Sequence, residues 1–357
     1  MRTILILTTL TLMLAFGRSA DALDPYAGND PYWILIHEPA VLAELKLSAK
    51  QKTEYLKLTD ALDVRFFPLR NKAGDEALKE MTQITADARA GLKTVLREAQ
   101  LKRLTEILLR RVGIVSLARE EVATQMRYSD AQRETIDKII AETQTAVVEL
   151  EKESREGKPR EPLDKKYVEL KTTEQLKLLE QLTPEQQTIW RKLLGTPFDV
   201  AKLGRPAMKA PELIDTSEWI NSSPLRLADQ HGKVVVIHFY AFGCINCIHN
   251  YPAYREWQEK FKDRDVVLIG IHTPETSKER DMTRVRRKAE EEKLTFPILI
   301  DGTNENWNAW GNSMWPSVYL IDKRGYLRHF WPGELNWQGA EGEKLMREQI
   351  ELLLAES

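Results

Sequence analysis

Residues 234–247 read VVVIHFYAFGCINC, and this stretch decides the fold of the carboxyl-terminal part of the chain. Its first seven residues, Val234 to Tyr240, are β-branched, aromatic or apolar apart from one histidine, which is typical of a strand buried in a parallel sheet. Cys244 and Cys247 follow this strand directly, and we expect them to open a helix. A CxxC pair in that context is a redox motif, so the stretch predicts a thiol–disulfide site.

The position of the pair at a helix start predicts its reactivity. A thiolate there faces unpaired amides and the positive end of the helix dipole, which lower its pKa from about 8.5 into a range of about 3.5–7.5. We expect Cys244, the first and more exposed cysteine, to attack the substrate as a thiolate. Cys247, one turn further in, is expected to resolve the mixed disulfide.

The residues after the pair continue an α/β pattern. Helical stretches alternate with apolar runs that we predict to be strands, namely Val266 to Ile271, Phe296 to Ile300 and Ser317 to Ile321. A turn at Lys323-Arg324-Gly325, a further strand and a helix complete this part. The sequence therefore predicts an α/β domain over residues 212–357.

The preceding residues have a different character. From residue 39 to residue 194 the chain is charged, almost free of strand signals and helical in its apolar period. The helical pattern is then interrupted by Gly195, Pro197, Gly204, Pro206 and Pro211. We predict an all-α helical bundle over residues 23–194 and a linker over residues 195–211.

One short motif recurs at three predicted helix starts. The copies are Leu47-Ser48-Ala49-Lys50-Gln51, Tyr128-Ser129-Asp130-Ala131-Gln132 and Leu182-Thr183-Pro184-Glu185-Gln186. A hydroxyl residue followed three places later by Gln is a capping box, in which the two side chains satisfy amides at the helix start. Leu96 to Gln100 is an imperfect fourth copy, because Arg97 cannot cap in that way.

The amino terminus has the features of a secretory signal peptide. Arg2 is followed by an apolar run from Ile4 to Phe16 and by Ala20-Asp21-Ala22, an A-x-A cleavage site. The run is shorter than the roughly 20 residues that a membrane span needs. We predict cleavage of residues 1–22 and a periplasmic or secreted protein, with retention of the segment as a membrane anchor as the alternative.

The length, net charge and cysteine content of the chain narrow the classes of function that it can have. It has 357 residues, enough for two domains, and a formal net charge of −2, which provides no basic field for nucleic acid. It has only two cysteines, three positions apart, and so short a loop adds little stability as a disulfide. In an exported chain of this size, redox chemistry explains the pair better than a structural disulfide does.

Three motifs around the pair resemble the TlpA/ResA-like extracytoplasmic thioredoxins and, closer still, the carboxyl-terminal domain of the DipZ-type proteins. They are Gly243-Cys244-Ile245-Asn246-Cys247, Gly270-Ile271-His272-Thr273-Pro274-Glu275 and Trp315-Pro316-Ser317-Val318-Tyr319-Leu320-Ile321-Asp322. The segment from Ala210 to Val236 also looks like the opening of those domains. The resemblance implies a thioredoxin fold and a thiol–disulfide oxidoreductase.

The resemblance also implies roles for three neighbours of the pair. Pro316 corresponds to a cis-proline that lies against the CxxC motif. Trp315 departs from the small or β-branched residue usual before that proline, so we expect its ring to fill part of the substrate groove. Phe242 takes the place of a familiar tryptophan, and we expect it to pack as an apolar shield beside the groove.

His238 and Glu275 are the ionisable candidates. His238 stands six residues before Cys244, where thioredoxins have a buried acid, and in that place it would take the proton from Cys247. A neutral core histidine is the alternative for this residue. Glu275 matches an acid near the active site of ResA-like members, with a solvated loop carboxylate as the alternative.

The capping repeats resemble the LTxxQ motif of the Spy/CpxP-type periplasmic helical proteins, which act as stress-related chaperones. This resemblance implies a chaperone or adaptor, in which the bundle binds clients and the thioredoxin domain is a docking module. The alternative is a bundle that scaffolds or dimerises the protein.

Together these features predict an exported enzyme that exchanges disulfides through its CxxC pair. By the resemblance, it reduces cysteine pairs of other extracytoplasmic proteins and receives electrons from a membrane donor of the DsbD/CcdA type. A thiol peroxidase is less favoured, because Ile237 and Ala241 stand where the peroxiredoxin pattern PxxxTxxC has Pro and Thr. We expect no cofactor and no metal, since His249 completes only a C-x-x-C-x-H set and a structural zinc site needs a fourth ligand.

Overall fold

The computed structural model describes residues 31–70, 72, 74–204 and 206–356. The predicted signal peptide, residues 1–22, lies outside these described residues. A helical part ends at Leu194, and a part that contains a β-sheet begins at Met208. The predicted fold class, an all-α bundle followed by an α/β domain, is confirmed. Over the described residues, no helix is both long enough and apolar enough to cross a bilayer.

The helical part consists of α-helices joined by short turns. They are α1 (Tyr32–Leu35), α2 (Pro39–Leu45), α3 (Ala49–Phe66), α4 (Asp75–Val95), α5 (Glu98–Val112), α6 (Glu120–Met126), α7 (Asp130–Arg155), α8 (Arg160–Glu180) and α9 (Pro184–Leu194). Two 3-10 helices, Phe67–Leu69 and Gly113–Ala118, also belong to this part. Apolar faces of the helices enclose two clusters of buried side chains, one around Trp33 and the other around Ile136.

The capping residues predicted from the sequence begin α3, α7 and α9. The hydroxyl oxygens of Ser48, Ser129 and Thr183 each accept a hydrogen bond from the backbone N–H three residues further on. At the fourth motif Arg97 has no hydroxyl, but the Gln100 side chain still accepts from the Arg97 N–H over 2.9 Å. The repeated motif therefore marks helix starts, as its spacing indicates.

The four glutamines of these motifs also bond to one another in pairs. Gln51 Nε2 donates to Gln100 Oε1 over 2.8 Å, and Gln132 Nε2 donates to Gln186 Oε1 over 2.7 Å. In each pair the second glutamine also donates to the carbonyl of the last residue of a short helix, α2 in the first pair and α6 in the second. The motif therefore joins three helix ends, which a capping role alone does not require.

The helical part is built from two consecutive repeats of one unit. The first repeat comprises α1 to α5, and the second comprises the 3-10 helix Gly113–Ala118 and α6 to α9. Helices α2 and α6 both have seven residues, begin 81 residues apart and end before a left-handed residue, Lys46 or Arg127. Helices α3 and α7 also begin 81 residues apart, and α5 and α9 begin 86 residues apart. The recurrence of the motif follows from this repetition.

The two repeats differ in the hairpin that their long helices form. In the first repeat, the Leu58 side chain occupies the space where a Cβ at Gly91 would lie, and Arg65 pairs with two acidic residues of α4. In the second repeat Ala146 takes the position of Arg65, and a groove of about 590 Å³ lies between α7 and α8. The second hairpin is therefore open where the first is closed.

We expect the glutamine pairs to stabilise the helical part measurably. Gln100→Ala removes the bonds to Gln51 and to the α2 carbonyl, and unpaired buried polar groups cost about 1–3 kcal/mol. Gln144→Ala, at an exposed site on α7, should change the free energy of unfolding by less than about 0.5 kcal/mol. Urea unfolding followed by circular dichroism measures both variants. Equal effects in the two would contradict the role assigned to the pairs.

Seven strands within the described residues form one sheet. They are β1 (Met208–Lys209), β2 (Trp219–Ile220), β3 (Val234–Tyr240), β4 (Val266–His272), β5 (Ile298–Ile300), β6 (Ser317–Ile321) and β7 (Tyr326–Pro332). Their order is β1-β7-β6-β3-β4-β5-β2; β3, β4 and β5 are parallel, while β6 is antiparallel to both β3 and β7. The helices of this part are α10 (Ile245–Phe261), α11 (Met282–Glu291), α12 (Glu305–Ala309) and α13 (Gly342–Ala355). This arrangement is a thioredoxin fold, as the resemblance implies.

Strand β3 is buried along its whole length. Val235, Ile237 and Phe239 face an apolar cluster with tryptophans of the segment around α12. The alternate residues face a second cluster, which contains side chains of α10, α11 and α13. Because both faces are covered, the strand has the unbroken apolar composition of a central parallel strand. Its carboxyl end leads directly into the cysteine pair.

The helical part contacts the sheet through α3 and the edge strand β1. The Lys209 N–H donates to Asp63 Oδ2 over 2.7 Å, and Tyr326 OH on β7 donates to Asp60 Oδ1 over 3.0 Å. β1 lies inside the segment 195–211 that the sequence assigns to a linker, so the end of that segment is part of the sheet. Two residues are too few to show the alternation of side chains that predicts a strand. They form a strand because they pair with β7.

A second contact joins the 3-10 helix Phe67–Leu69 to the loop after α12. Gly311 has a φ of +57°, and a Cβ at this position would lie 2.1 Å from the Phe67 carbonyl oxygen, so only glycine fits. The Phe67 and Trp310 rings are tilted by 54° to each other, with centroids 6.3 Å apart. The Arg70 guanidinium lies 4.4 Å from the centroid of Phe330 on β7. The first repeat therefore packs on the face of the sheet opposite α10.

His37 and Asp63 form a buried ion pair next to this contact. His37 Nε2 lies 2.9 Å from Asp63 Oδ1, and His37 Nδ1 lies 2.7 Å from the Trp33 carbonyl oxygen. Both ring nitrogens face acceptor oxygens, and this arrangement favours the protonated ring. Burial opposes this charge, but Asp63, the carbonyl and the charge of Asp60 outweigh burial, and the pKa of His37 is raised above 6.5.

Part of the stability of the fold should therefore depend on the His37 charge. A histidine whose pKa is raised by folding contributes stability that is complete below about pH 6.5 and is lost as the pH rises through the raised pKa. The wild-type protein should lose more free energy of unfolding between about pH 6 and about pH 9 than the double variant H37Q/D63N, which lacks both groups. Urea titrations at the two pH values measure the loss, and parallel losses would contradict the assignment.

Candidate active site

Cys244 caps the first turn of α10. The helix begins at Ile245, and the Cys244 Sγ accepts a hydrogen bond from the Cys247 N–H over 3.3 Å. The same N–H also donates to the Cys244 carbonyl over 3.1 Å, so the sulfur adds a second acceptor for an amide of the first helical turn. The CxxC spacing suits this bond, because Cys247 is the third helical residue, whose amide a capping side chain reaches.

The two thiols, both free, differ in exposure and acidity. Cys244 is 9% exposed and Cys247 is 0% exposed. Hydrogen bonds from the Cys247 thiol and from the amides of Cys247 and Asn246 outweigh partial burial and lower the pKa of Cys244. Burial above all, and the adjacent Cys244, raise the pKa of Cys247. The predicted order, in which Cys244 attacks and Cys247 resolves, requires this difference in pKa between the two thiols.

Three tyrosines share the apolar cluster of the inner cysteine. Tyr240, Tyr251 and Tyr254 are buried, and burial raises the pKa of each phenol above its ordinary value of 10.0. The charge of an ionised Cys247 would raise these pKa values further. The tyrosines therefore add no charge around Cys247 and enclose it in largely apolar surroundings, where burial favours the protonated thiol.

Trp315 and Pro316 precede β6, which pairs with β3 directly before the cysteines. The Trp315–Pro316 peptide bond is cis, as the resemblance implies. The Trp315 ring stacks on Trp307 with centroids 4.0 Å apart, and its Nε1 donates to the Thr273 carbonyl over 3.0 Å. The ring also packs against the cluster that contains both cysteines. These contacts hold Trp315 in one position beside the candidate groove.

Phe242 packs flat against a buried histidine of β4. Its ring and that of His272 have centroids 5.7 Å apart and an interplanar angle of 16°. Burial lowers the pKa of His272 to about 4, although the charge of Glu279 acts in the opposite direction. The stacked ring is therefore a neutral imidazole near neutral pH, and Phe242 forms a partly buried apolar wall next to the pair.

His238 lies in an aromatic enclosure. Its ring stacks on Tyr254 with centroids 4.1 Å apart and meets the Phe296 ring edge-on at 4.9 Å. Neither ring nitrogen has a hydrogen-bond partner among the residues that the structure describes. Burial lowers its pKa to about 3. Of the two roles that the sequence left open, this environment favours the neutral core histidine, because no polar contact of the ring leads to Cys247.

Glu275 lies on an exposed loop after β4 and acts on both sulfurs. Its negative charge raises the pKa of Cys244 and of Cys247, although it is not the main cause at either residue. Its side chain is exposed, while its backbone N–H donates to Glu279 Oε2 over 2.7 Å. The structure thus brings Glu275 into electrostatic reach of the pair, which the sequence treated as one of two alternatives.

Two further polar residues of the site were missed from the sequence. The buried Glu279 accepts a hydrogen bond from the Gly243 N–H, directly before the pair, and Asn250 of α10 accepts one from the Leu335 N–H over 2.9 Å. A signal for Glu279 was present, because Thr276 three residues before it completes a capping-box pattern. Asn250 had no comparable signal, since a single amide in a helix is compatible with an exposed position.

His249 contacts an acidic residue and not the cysteines. Its Nδ1 lies 2.9 Å from Glu334 Oε2. Among the residues that the structure describes, no group of three or more His, Cys, Asp or Glu side chains is arranged to hold a metal ion. The C-x-x-C-x-H spacing therefore does not bring three ligands together.

Comparisons with known proteins concern the part of the chain that contains this site. The family model described as AhpC/TSA family matches residues 206–330. The thioredoxin-like protein YneN of Bacillus subtilis is 30% identical to this chain over 128 residues, which are 35% of this chain and 68% of YneN. The chain belongs to the thioredoxin-like proteins.

Two other relatives of this thioredoxin-like chain bear on the resemblance drawn from the sequence. Protein DipZ of Mycobacterium bovis is 36% identical over 135 residues, which are 37% of this chain but only 19% of DipZ. Thiol-disulfide oxidoreductase YkuV of Bacillus subtilis is 29% identical over 147 residues, which are 41% of this chain and 95% of YkuV. The resemblance to redoxins and DipZ is confirmed, whereas the resemblance of the helical repeats to LTxxQ proteins stays a prediction.

We expect Cys244 to react with alkylating agents well before Cys247. Near pH 7, iodoacetamide should modify Cys244 of the reduced protein at least about tenfold faster, because the thiolate is the nucleophile and only the Cys244 pKa is lowered. Brief exposure followed by peptide mass spectrometry measures both rates. Cys247→Ser keeps a donor at that position and should retain the fast reaction, whereas Cys244→Ser should abolish it. Fast labelling of Cys247 would contradict the assignment.

Proposed function

We propose that this thioredoxin-like protein is an extracytoplasmic thiol–disulfide oxidoreductase that reduces cysteine pairs of other exported proteins. One observation carries the proposal. The Cys244 sulfur caps a helix and has a lowered pKa, and it lies beside a buried Cys247 thiol that retains its proton. Two-step disulfide exchange needs one ionised thiol that attacks the substrate and a second thiol that later resolves the mixed disulfide. The name of YkuV supports the activity, and the signal-like pattern of residues 1–22 supports the compartment.

In the first step the Cys244 thiolate attacks one sulfur of a substrate disulfide. A bond forms between Cys244 Sγ and that sulfur while the substrate S–S bond breaks. The other substrate sulfur leaves as a thiolate and takes a proton from solvent. The product is a mixed disulfide, held where the backbone before Pro316 and the rings of Trp315 and Phe242 border the site.

In the second step Cys247 resolves the mixed disulfide. Its sulfur attacks Cys244 Sγ, the bond from Cys244 to the substrate breaks, and the proton of Cys247 goes, in net terms, to the departing substrate sulfur. Two electrons have then passed from the protein dithiol to the substrate, and the protein holds a Cys244–Cys247 disulfide. The negative charge of Glu275 disfavours ionisation of either thiol, so it limits the population of thiolate in the absence of substrate.

The oxidised protein needs a dithiol donor to begin another cycle. We propose a membrane electron donor of the DsbD/CcdA type, whose dithiol becomes a disulfide as it reduces Cys244–Cys247 by the same two-step exchange. This proposal rests on the resemblance to extracytoplasmic thioredoxins and on the direction of electron flow proposed above. The exposed Ile245 next to Cys244, 60% accessible, gives a partner an apolar contact at the reacting sulfur.

Redox titration of the pair against glutathione and dithiothreitol tests the activity and its direction. A reductant should have a potential near that of thioredoxin, about −270 mV, whereas a value near about −120 mV would indicate an oxidant and overturn the proposed direction. The Cys244→Ala variant should show no two-electron transition. Absence of a reversible disulfide in the wild type would remove the activity itself. Peroxide consumption with dithiothreitol as reductant tests the peroxidase alternative.

A further inference from the structure

Glu279 is a buried carboxylate that touches two separate loops of the site. Its side chain is 1% exposed and lies in the 3-10 helix Ser277–Arg280 after β4. Oε1 accepts the Gly243 N–H over 2.7 Å, and Oε2 accepts the N–H groups of Glu275 and Thr276, each over 2.7 Å. A carboxylate is costly to bury unless hydrogen bonds compensate it, and three peptide amides do so here.

Helix capping explains only one side of this arrangement. The bond to Thr276 belongs to the capping box of the 3-10 helix. The bond to Gly243 does not, because Gly243 belongs to a different segment and directly precedes Cys244. A Cβ at position 243 would lie 2.7 Å from Glu279 Oε1, so the absence of a side chain there lets the carboxylate reach the backbone.

The other loop carries the charge that acts on both cysteines. The Glu275 side chain is exposed, so burial does not hold the carboxylate in place. Its backbone is held by Glu279, and its charge is felt at both sulfurs. The distance from this carboxylate to the pair therefore depends on the loop, and the position of the loop depends on Glu279.

We infer that Glu279 is a positioning residue of this site: its buried carboxylate ties the turn before Cys244 to the loop that carries Glu275, and so fixes the position from which the Glu275 charge acts on the two sulfurs. The inference rests on the proposed function, because it assigns a role within that thiol–disulfide site. The hydrogen bonds of Glu279 go to Gly243, Glu275 and Thr276. It acts through the backbone of Gly243 and through the position of Glu275.

The test measures the pH dependence of Cys244 alkylation in the reduced, full-length protein. Glu275→Gln removes the charge and should lower the apparent pKa of Cys244, because a nearby negative charge disfavours the thiolate. Glu279→Asp keeps a charge but shortens the side chain, so it cannot span the two loops. It should release the Glu275 loop and lower the apparent pKa in the same direction.

The double variant E275Q/E279D separates positioning from general damage. If Glu279 acts through Glu275, Glu279→Asp should cause no further shift once the Glu275 charge is gone. Full additivity of the two shifts, no shift for Glu279→Asp, or an upward shift through loss of the helix cap would each overturn the inference. Glu291→Asp is the matched control, because it makes the same change at an exposed site on α11 and should leave the profile unchanged.

Gly243→Ala provides a second variant that keeps every charge. The added Cβ pushes on Glu279 Oε1 from the other side of the same hydrogen bond, and the backbone at position 243 does not need positive φ. It should reproduce the downward shift of Glu279→Asp, and it decides the question if that variant does not fold. An unchanged profile in Gly243→Ala would count against the inference.

The alkylation test of Glu279 can be interpreted whether or not the proposed function is correct. Alkylation of the reduced protein needs no turnover, so the role of Glu279 is read from the variants even if the wild type forms no reversible disulfide. Conversely, a normal redox titration with no effect of Glu279→Asp would leave the oxidoreductase in place and remove only the positioning role.

Discussion

The rest of the structure depends on the complete burial of strand β3. β4 and β6 pair with it on either side, and apolar clusters cover both of its faces. Neither a register shift nor an exposed face is compatible with these contacts, since a shift of one residue would exchange the two faces. The carboxyl end of the strand therefore has a fixed position, and the chain leads from there directly into α10. Cys244 occupies the junction, so its sulfur meets the free amides of the helix because of where the strand ends.

The reactivity of the pair arises from two opposing influences on Cys244. Hydrogen bonds from the helix start and from Cys247 favour the thiolate, whereas partial burial and the charge of Glu275 oppose it. One unit of pKa corresponds to about 1.4 kcal/mol, so contacts of ordinary strength are enough to decide which cysteine is ionised. The tyrosines around Cys247 add no charge that could stabilise a second thiolate. The site thus has one nucleophile and one reserve thiol.

The two repeats of the helical part have different surroundings. In the first repeat Asp60 and Asp63 of α3 bind the sheet, but the equivalent positions of α7, 81 residues later, are Ala141 and Gln144, which cannot replace both acceptors. Among the described residues, the hydrogen bonds that join the helices to the sheet therefore come from the first repeat. The paired glutamines are common to both repeats, because they maintain the unit itself. The differences lie on the faces that meet other surfaces, including the groove between α7 and α8.

Much of this architecture could be predicted from the sequence, because it depends on local patterns. Continuous apolar runs predict the central strands, and an apolar period of 3.6 residues predicts the helices. A hydroxyl three residues before Gln marks helix starts, and CxxC after a strand indicates the redox site. Other features depend on which distant segments meet. The sequence left His238 open as a base or a core residue, and the aromatic rings of α10 and of the β5 region favour the core role by burying it. The two residues of β1 became a strand only by pairing with β7. Glu279 reaches Gly243 across 36 residues, and Gln51 reaches Gln100 across 49. Local periodicity therefore determined the elements and the identity of the reactive pair, whereas tertiary packing decided each partner, burial and pKa, because those depend on groups far apart in sequence.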